Sequence, residues 1–297
     1  MGIGGRLRTF RGTMEYDGTE FSGWQVQPGR RTVQGAVQDA LARIVGASVP
    51  VLAAGRTDAG VHALAQGISF RVATAIPPRD LARALNALLP PDASVTGLEH
   101  APPGFHAIRD AAGKVYRYEI LCGGPRRPSR RRDAWWMPKR LDAAAMRRAA
   151  RGLVGRRDFA SFRTNPGVEN DRGTTVRTLR RLDVRRTPEG VVLEFEGDGF
   201  LYNMVRSIVG TLVQVGRGSW TAARVGEALL ARDRRAAGPT APPHGLTLVS
   251  VSWRRGASAR SGRERRKIGD RPRGARRIAS GRDGAERRRS RARSERR

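Results

Sequence analysis

Between Val176 and Glu196 the chain carries the feature that most limits its fold. Val176 to Arg185 is rich in apolar and β-branched residues, and Val191 to Glu196 alternates apolar with less apolar side chains. Little more than Thr187-Pro188-Glu189-Gly190 separates them, and Pro and Gly are turn formers. So short a connection permits only antiparallel pairing, because a parallel partner needs a crossover of about a dozen residues or more. Helical patterns flank this hairpin on both sides. The expected class is therefore α+β, with mainly antiparallel sheets flanked by helices.

In chain order, Leu7 to Tyr16 reads as a first strand closed by the turn dipeptide Asp17-Gly18. Thr32 caps a helix with Val33, Val37, Leu41 and Ile44 at helical spacing and Gly46 as its stop. Short apolar runs, Val49 to Ala54 and Ile68 to Val72, then enclose Gly55-Arg56-Thr57-Asp58-Ala59-Gly60-Val61-His62. Pro77-Pro78 opens a second helix with Leu81, Leu85 and Leu88, and Pro90-Pro91 ends it. Val95 to Leu98 and Lys114 to Leu121 read as strands, the latter with Tyr116, Tyr118 and Ile120 on one face. Gly123 to Arg132, rich in Gly, Pro and Arg, reads as a mobile basic loop. Asp142 caps a third helix carrying Met146, Ala149, Ala150 and Leu153. Met204, Val205, Ile208, Val209, Leu212 and Val213 stripe a fourth, with Arg206 off the stripe. Thr221 caps a fifth, and Leu246 to Trp253 is an alternating final strand.

This order of elements alternates loosely twice over and divides near residue 107. Two similar subdomains are expected, 1–107 with the Asp58 loop and 108–253. Beyond Trp253 there is no aromatic residue, and only Ile268 and Ile278 are large and aliphatic. Residues 254–297 thus bury too little to offset chain entropy and are expected to form a disordered Arg-rich tail.

The net charge is +30, and from Arg254 onward there are 19 Lys+Arg against 5 Asp+Glu. The preceding 253 residues keep a net +16, so body and tail are both basic. That favours a polyanionic partner, RNA or DNA ahead of a membrane surface. Cys122 is the sole cysteine, which excludes an intrachain disulfide and a cysteine-based zinc site. His62, His100, His106 and His244 lack metal-ligand spacing, so a structural role is expected for each. The N-terminus lacks a signal-peptide core, and Arg206 interrupts the longest apolar stretch. A soluble cytoplasmic protein is expected, without a membrane partner.

No Gly-rich phosphate loop with its lysine, dinucleotide fingerprint or Gly-x-Ser-x-Gly occurs. Four features can carry chemistry, and each has a plain structural reading beside it. Asp58 with Arg56 is a reactive acid on a positioned loop, or a turn. Tyr116 with Tyr118 is a stacking platform, or a strand that packs aromatics. Arg206 is a fixed cation, or a side chain that snorkels to solvent. Phe21 to Gln27, with its aromatics and amides, contacts bases or packs a loop. Together they suit a modifier of RNA bases. A lone carboxylate serves as nucleophile or general base when an arginine lowers its pKa and keeps it ionised. A tyrosine ring stacks on an extruded base with its hydroxyl free for proton transfer.

Ordered segments then make a resemblance specific. Glu15-Tyr16-Asp17-Gly18-Thr19, Gly23-Trp24-Gln25, Arg31-Thr32-Val33-Gln34-Gly35 and Ala54 to Ala63 come first. Asn86-Ala87-Leu88-Leu89-Pro90, Phe105-His106-Ala107, Tyr116-Arg117-Tyr118, Asp158 to Phe162 and Thr175 to Thr178 follow, and Phe200 to Gly210 and Gly245-Leu246 complete the series. Over residues 7 to 253 the chain resembles the TruA family of tRNA pseudouridine synthases.

The resemblance implies that Asp58 is the catalytic aspartate and that Arg56 helps displace the target base. It implies that Tyr116 stacks on the target uracil and that Arg206 pairs with the aspartate. The implied reaction isomerises uridine to pseudouridine on the 3′ side of the tRNA anticodon stem-loop, at positions 38–40. The family implies no cofactor and no metal. It further implies two similar subdomains around a central basic cleft, shared in a homodimer. Thr247, where an aromatic residue is more typical, and the basic stretch Gly123 to Arg132 depart from the pattern. A non-catalytic basic RNA-binding protein is the competing class, and it leaves Asp58, Tyr116 and Arg206 without a common role.

Overall fold

The structure, a computed structural model, describes residues 6–164 and 173–254. Its strands are β1 (Leu7–Tyr16), β2 (Val51–Ala53), β3 (His62–Ala73), β4 (Ala93–His100) and β5 (Ala111–Cys122), then β6 (Trp135–Met137), β7 (Gly155–Asp158), β8 (Val176–Thr187), β9 (Gly190–Gly197) and β10 (Leu246–Trp253). Its helices are α1 (Val33–Val45), α2 (Pro78–Leu88), α3 (Ala107–Asp110), α4 (Ala143–Arg151), α5 (Met204–Gly216) and α6 (Ala222–Ala231). The expected hairpin is present, β8 running antiparallel to β9 with Thr187 paired to Gly190.

One sheet takes up all the described strands, in the order β4-β1-β3-β10-β5-β9-β8-β7, with β2 on β3 and β6 on β5. Pairing is antiparallel except for β10 with β3 and β6 with β5. β10 comes last of these strands yet sits mid-sheet. It pairs along β5 from Leu246–Tyr118 to Trp253–Ala111 and touches β3 only at Thr247–His62 and Leu248–Ala63. The sheet therefore crosses residue 107 without a break, and all described residues belong to one compact unit.

Local chemistry accounts for most boundaries. Thr32 Oγ1 accepts the Gly35 N–H at 3.3 Å to start α1, and Gly46 ends it at φ 72°. Pro78 occupies the first turn of α2, where its missing N–H costs nothing, and Leu81 and Leu85 are fully buried. Asp142 Oδ1 accepts the Ala145 N–H at 2.9 Å at the head of α4. Leu153, expected within that helix, lies buried just beyond its end.

α5 departs from the single-stripe expectation because it is buried nearly all round, Ser207, Gly210 and Thr211 included. α4 and α6 pack on it, and Pro239 crosses it so closely that a Cβ on Gly210 would sit 1.7 Å from the Pro239 carbonyl oxygen. The stretch Gly123 to Arg132, expected to be a mobile loop, contains a 3₁₀ turn over Pro128–Arg130. Arg130 ties it to Glu119 at 2.6 Å, Asp133 at 2.9 Å and Glu189 at 3.1 Å. β6, β7 and α3 lacked a readable signal because each spans four residues or fewer. The Arg-rich tail expected at 254–297 lies outside the described residues from 255 onward. Among the described residues no helix is long and apolar enough to cross a membrane.

Candidate active site

Asp58 sits on the loop between β2 and β3, which backbone contacts hold on one side and side chains on the other. The Trp24 N–H donates to the Thr57 carbonyl at 3.0 Å, and the Gly60 N–H donates to the Phe21 carbonyl at 3.3 Å. The Val61 N–H closes a turn onto the Asp58 carbonyl at 3.2 Å. Gly23 makes this docking feasible. It has φ 86°, and a Cβ there would lie 2.8 Å from the Thr57 carbonyl oxygen. From below, the Tyr16 hydroxyl meets Thr57 Oγ1 at 2.8 Å, and Gln66 Nε2 donates to the Gly55 carbonyl at 2.7 Å. Burial pushes the Tyr16 hydroxyl up to about 12, so it stays a neutral hydrogen-bonding group.

Arg206, in the first turn of α5, reaches Asp58 with Nη1 at 3.2 Å from Oδ2. It does not snorkel: its side chain is 15% exposed and that of Asp58 is 19% exposed. Its Nε donates to the Ala241 carbonyl at 2.8 Å, while the Ala241 N–H returns a bond to the Arg206 carbonyl at 3.1 Å. The same Nη1 donates to Asn203 Oδ1 at 2.5 Å. Asn203 precedes α5 with φ 58° and makes no helix-capping bond; its Nδ2 donates to Thr164 Oγ1 at 2.6 Å instead. The residue thus gives up the usual capping role to hold the arginine.

The ionisation of Asp58 differs from the expectation that an adjacent arginine would lower its pKa. Burial outweighs both the charge and the hydrogen bond of Arg206, and the carboxyl is held above its ordinary value. Tyr116 is 6% exposed and packs edge-on against Phe200 at 5.2 Å between ring centroids. Burial, then the neighbouring Tyr16 and Asp58, push its hydroxyl well above the usual phenol range. Tyr118 Oη donates to the Pro242 carbonyl at 2.8 Å and is likewise pushed up by burial.

The four expected residues are therefore not equivalent. Asp58 and Arg206 meet directly across 148 positions of sequence. Tyr116 makes no hydrogen bond to either, and the Asp58 charge is the smallest of the three causes that push its hydroxyl up. Arg56 is exposed and makes no ion pair among the described residues, so the guanidinium on the aspartate is Arg206 and not Arg56. The aromatics of Phe21 to Gln27 resolve toward packing, with Phe21 and Trp24 at 2% and 1% exposure. The histidines serve as structural partners. His62 Nδ1 accepts the Gly18 N–H at 3.1 Å and Nε2 meets the Arg132 carbonyl at 2.6 Å, and His106 accepts the Ile108 N–H at 3.2 Å. The short contact from His62 Nδ1 to Asp17, 3.1 Å, competes with the Gly18 bond for the same nitrogen. Asn203 and the Ala241 carbonyl were missed. Asn before an apolar helix reads as a routine cap, and a backbone acceptor leaves no residue signal.

A family profile described as tRNA pseudouridine synthase matches residues 13–108 and 149–254. The chain belongs to the tRNA pseudouridine synthase family. It is 45% identical over 247 residues to tRNA pseudouridine synthase A of Geobacter sulfurreducens, which covers 83% of this chain and 100% of that protein. It is 46% identical over 241 residues to tRNA pseudouridine synthase A of Geobacillus kaustophilus, 80% of this chain and 92% of that protein. A third relative, tRNA pseudouridine synthase A of Myxococcus xanthus, is 42% identical over 250 residues, 84% of this chain and 93% of its own. The family is one of isomerases, since uridine and pseudouridine have the same atoms. Its matched segments contain Arg56, Asp58, Asn203 and Arg206, whereas Tyr116 falls between them. Among the described residues no group of three or more His, Cys, Asp or Glu side chains could hold a metal ion.

Proposed function

We propose that this chain isomerises uridine to pseudouridine on the 3′ side of the tRNA anticodon stem-loop, positions 38–40, with Asp58 as the catalytic carboxylate. The observation that carries the reading is the buried Asp58–Arg206 pair at 3.2 Å, in a member of this family. In the reaction the N1–C1′ bond breaks, the uracil turns, and C5 bonds to C1′. The proton lost from C5 is balanced by one gained at N1. Asp58 starts the reaction as an ionised group, as nucleophile at C1′ or as base toward a sugar proton. Arg206 favours that ionised form against the cost of burial. Tyr116 offers a ring face to the base and a neutral hydroxyl as hydrogen-bond donor. Arg56, exposed two residues before Asp58, occupies the space left when the base is extruded.

Net charge of +30 supports binding of the RNA backbone in a central basic cleft between subdomains 1–107 and 108–253, completed by a second copy in a homodimer. The basic residues beyond Trp253 add phosphate contacts. No cofactor enters this scheme, and the setting is cytoplasmic. Tritium release from tRNA labelled at uracil C5 tests the proposal. The wild type should release tritium, and Asp58→Ala should not, although it still binds tRNA. Full turnover by Asp58→Ala would overturn it. Truncation after Trp253 should keep turnover and give a shallower salt dependence of binding, and sedimentation of the full chain should report a dimer.

A further inference from the structure

A cavity away from Asp58 opens at the Leu121–Gly124 end of β5, between Trp136, Arg140 and the turn that joins β8 to β9. Arg127, Arg140 and Arg186 line it, and Glu189 is the one carboxylate among the lining residues. Glu189 is already engaged, by Arg127 and by Arg130 at 3.1 Å. Arg140 and Arg186 make no ion pair among the described residues. Elsewhere on the sheet Arg11 is neutralised by Glu99 at 2.6 Å, and Arg181 by Glu194 at 3.2 Å and Glu196 at 3.4 Å, while Arg8, Arg71 and Arg156 also make no ion pair among the described residues; Arg140 and Arg186 differ in lining one cavity. Two uncompensated guanidinium groups lining one concavity form an anion site in search of its anion.

The walls are built rather than draped. Trp136 Nε1 donates to the Gly124 carbonyl at 3.0 Å, and the Arg126 guanidinium lies 4.7 Å above the Trp136 ring. Gly123, at φ 78°, lets the stem of Arg140 cross its backbone, since a Cβ there would sit 2.2 Å from Arg140 Cγ. The wall also leads toward the reacting centre. Arg130 ties it to Glu119 on β5, and the Arg132 carbonyl meets His62 Nε2 at 2.6 Å. His62 is the first residue of β3, four positions after Asp58. From Tyr116 to Leu121 along β5 is about 17 Å at ~3.4 Å per residue. That is roughly five nucleotide rises of a stacked helix, counted along one strand.

We infer that this cavity is a second RNA-contact site, which holds backbone phosphates of the substrate arm about five nucleotides from the reacting base through Arg140 and Arg186. It rests on the reading of an RNA substrate given above. The planar fork of arginine suits a phosphodiester, and the site contributes affinity and register without touching the reacting atoms.

The test compares the full chain with Arg140→Ala/Arg186→Ala and with Arg43→Ala/Arg79→Ala. The second pair removes the same charge from α1 and α2 and serves as control. Binding of unmodified tRNA is measured over a range of salt concentrations, with kcat at saturating tRNA measured alongside. The cavity variant should bind about tenfold more weakly at ~0.1 M salt. Its log–log salt slope should be shallower by about 1.4–1.8, at ~0.7–0.9 per lost phosphate contact. Its kcat should match the wild type, the control should bind nearly as the wild type does, and Arg140→Lys/Arg186→Lys should recover part of the slope. An unchanged affinity and slope would overturn the inference, as would a control that loses as much. Failure of the wild type to turn over tRNA would count against the function above, whereas the binding comparison would still decide this site.

Discussion

Arg206 Nη1 lies 3.2 Å from Asp58 Oδ2, and that one nitrogen also donates to Asn203 Oδ1 at 2.5 Å. The aspartate is thus held by a cation that is itself held on two sides, by Asn203 and by the Ala241 carbonyl at 2.8 Å. Burial raises the Asp58 pKa, and both influences that lower it come from Arg206. Removing the guanidinium leaves burial unopposed. In Arg206→Ala the acid limb of the kcat/KM profile should therefore move to higher pH, and turnover at neutral pH should fall about hundredfold, ~2.7 kcal/mol. A pH–rate series on tRNA checks this, and an acid limb in the wild-type position would contradict it.

The same raised pKa makes Asp58 a stability liability at neutral pH. A carboxyl with a folded value above its ordinary 3.8 binds more protons folded than unfolded between those two values. Its contribution to stability is fully present below 3.8 and lost as pH rises through the folded value. Asp58→Asn should consequently melt at or above the wild-type temperature at pH 7 while losing turnover. The difference should shrink as pH falls through the folded value and vanish below 3.8, where the wild-type carboxyl is neutral in both states. Thermal melts at several pH values read this directly.

How far the sequence reached this arrangement depended on the scale of each feature. Val33, Val37 and Leu41 repeat at helical spacing over three turns, and Thr32 and Gly46 mark both ends, so α1 was legible in full. Asp58 and Arg206 were legible as candidates, but not their balance of charge against burial. That balance depends on how much of α5 is covered by α4, α6 and Pro239, which no local pattern reports. The position of β10 between β3 and β5 was likewise invisible, since an alternating strand does not announce its neighbours. Gly123 to Arg132 looked mobile from its composition. Its anchors, Glu119 and Glu189, lie on another strand and another turn, and no local pattern reports that Arg130 reaches them.

Asn203 separates backbone from side-chain effects. Its φ of 58° costs an ordinary L-residue about 1–2 kcal/mol, less for Asn and nothing for Gly. Asn203→Gly should keep the melting temperature close to wild type but lose the amide that holds Arg206, with kcat down about tenfold, ~1.4 kcal/mol, and KM little changed. Asn203→Ala should show the same loss of rate plus about 1 kcal/mol of destabilisation from the left-handed backbone. Equal melting temperatures for the two variants, or a wild-type rate in the glycine variant, would break the assignment.

Tyr116 carries two separable properties, a ring and a hydroxyl. The ring is buried edge-on against Phe200 at 5.2 Å, and Phe in its place keeps that packing. Tyr116→Phe should accordingly retain stability and KM for tRNA. The hydroxyl is pushed well above the phenol range by burial, so it acts as a neutral donor and not as a phenolate. Its loss should lower kcat by about 10²–10⁴-fold, the span typical of positioned proton transfer. No basic limb below pH 10 should depend on Tyr116 in the wild type, because the folded value lies above the ordinary 10.0. Tyr116→Ala should additionally cost about 3–5 kcal/mol, as large-to-small changes at buried aromatics do. Steady-state kinetics with denaturant melts distinguish the outcomes. A Phe variant with wild-type kcat would confine Tyr116 to stacking on the base.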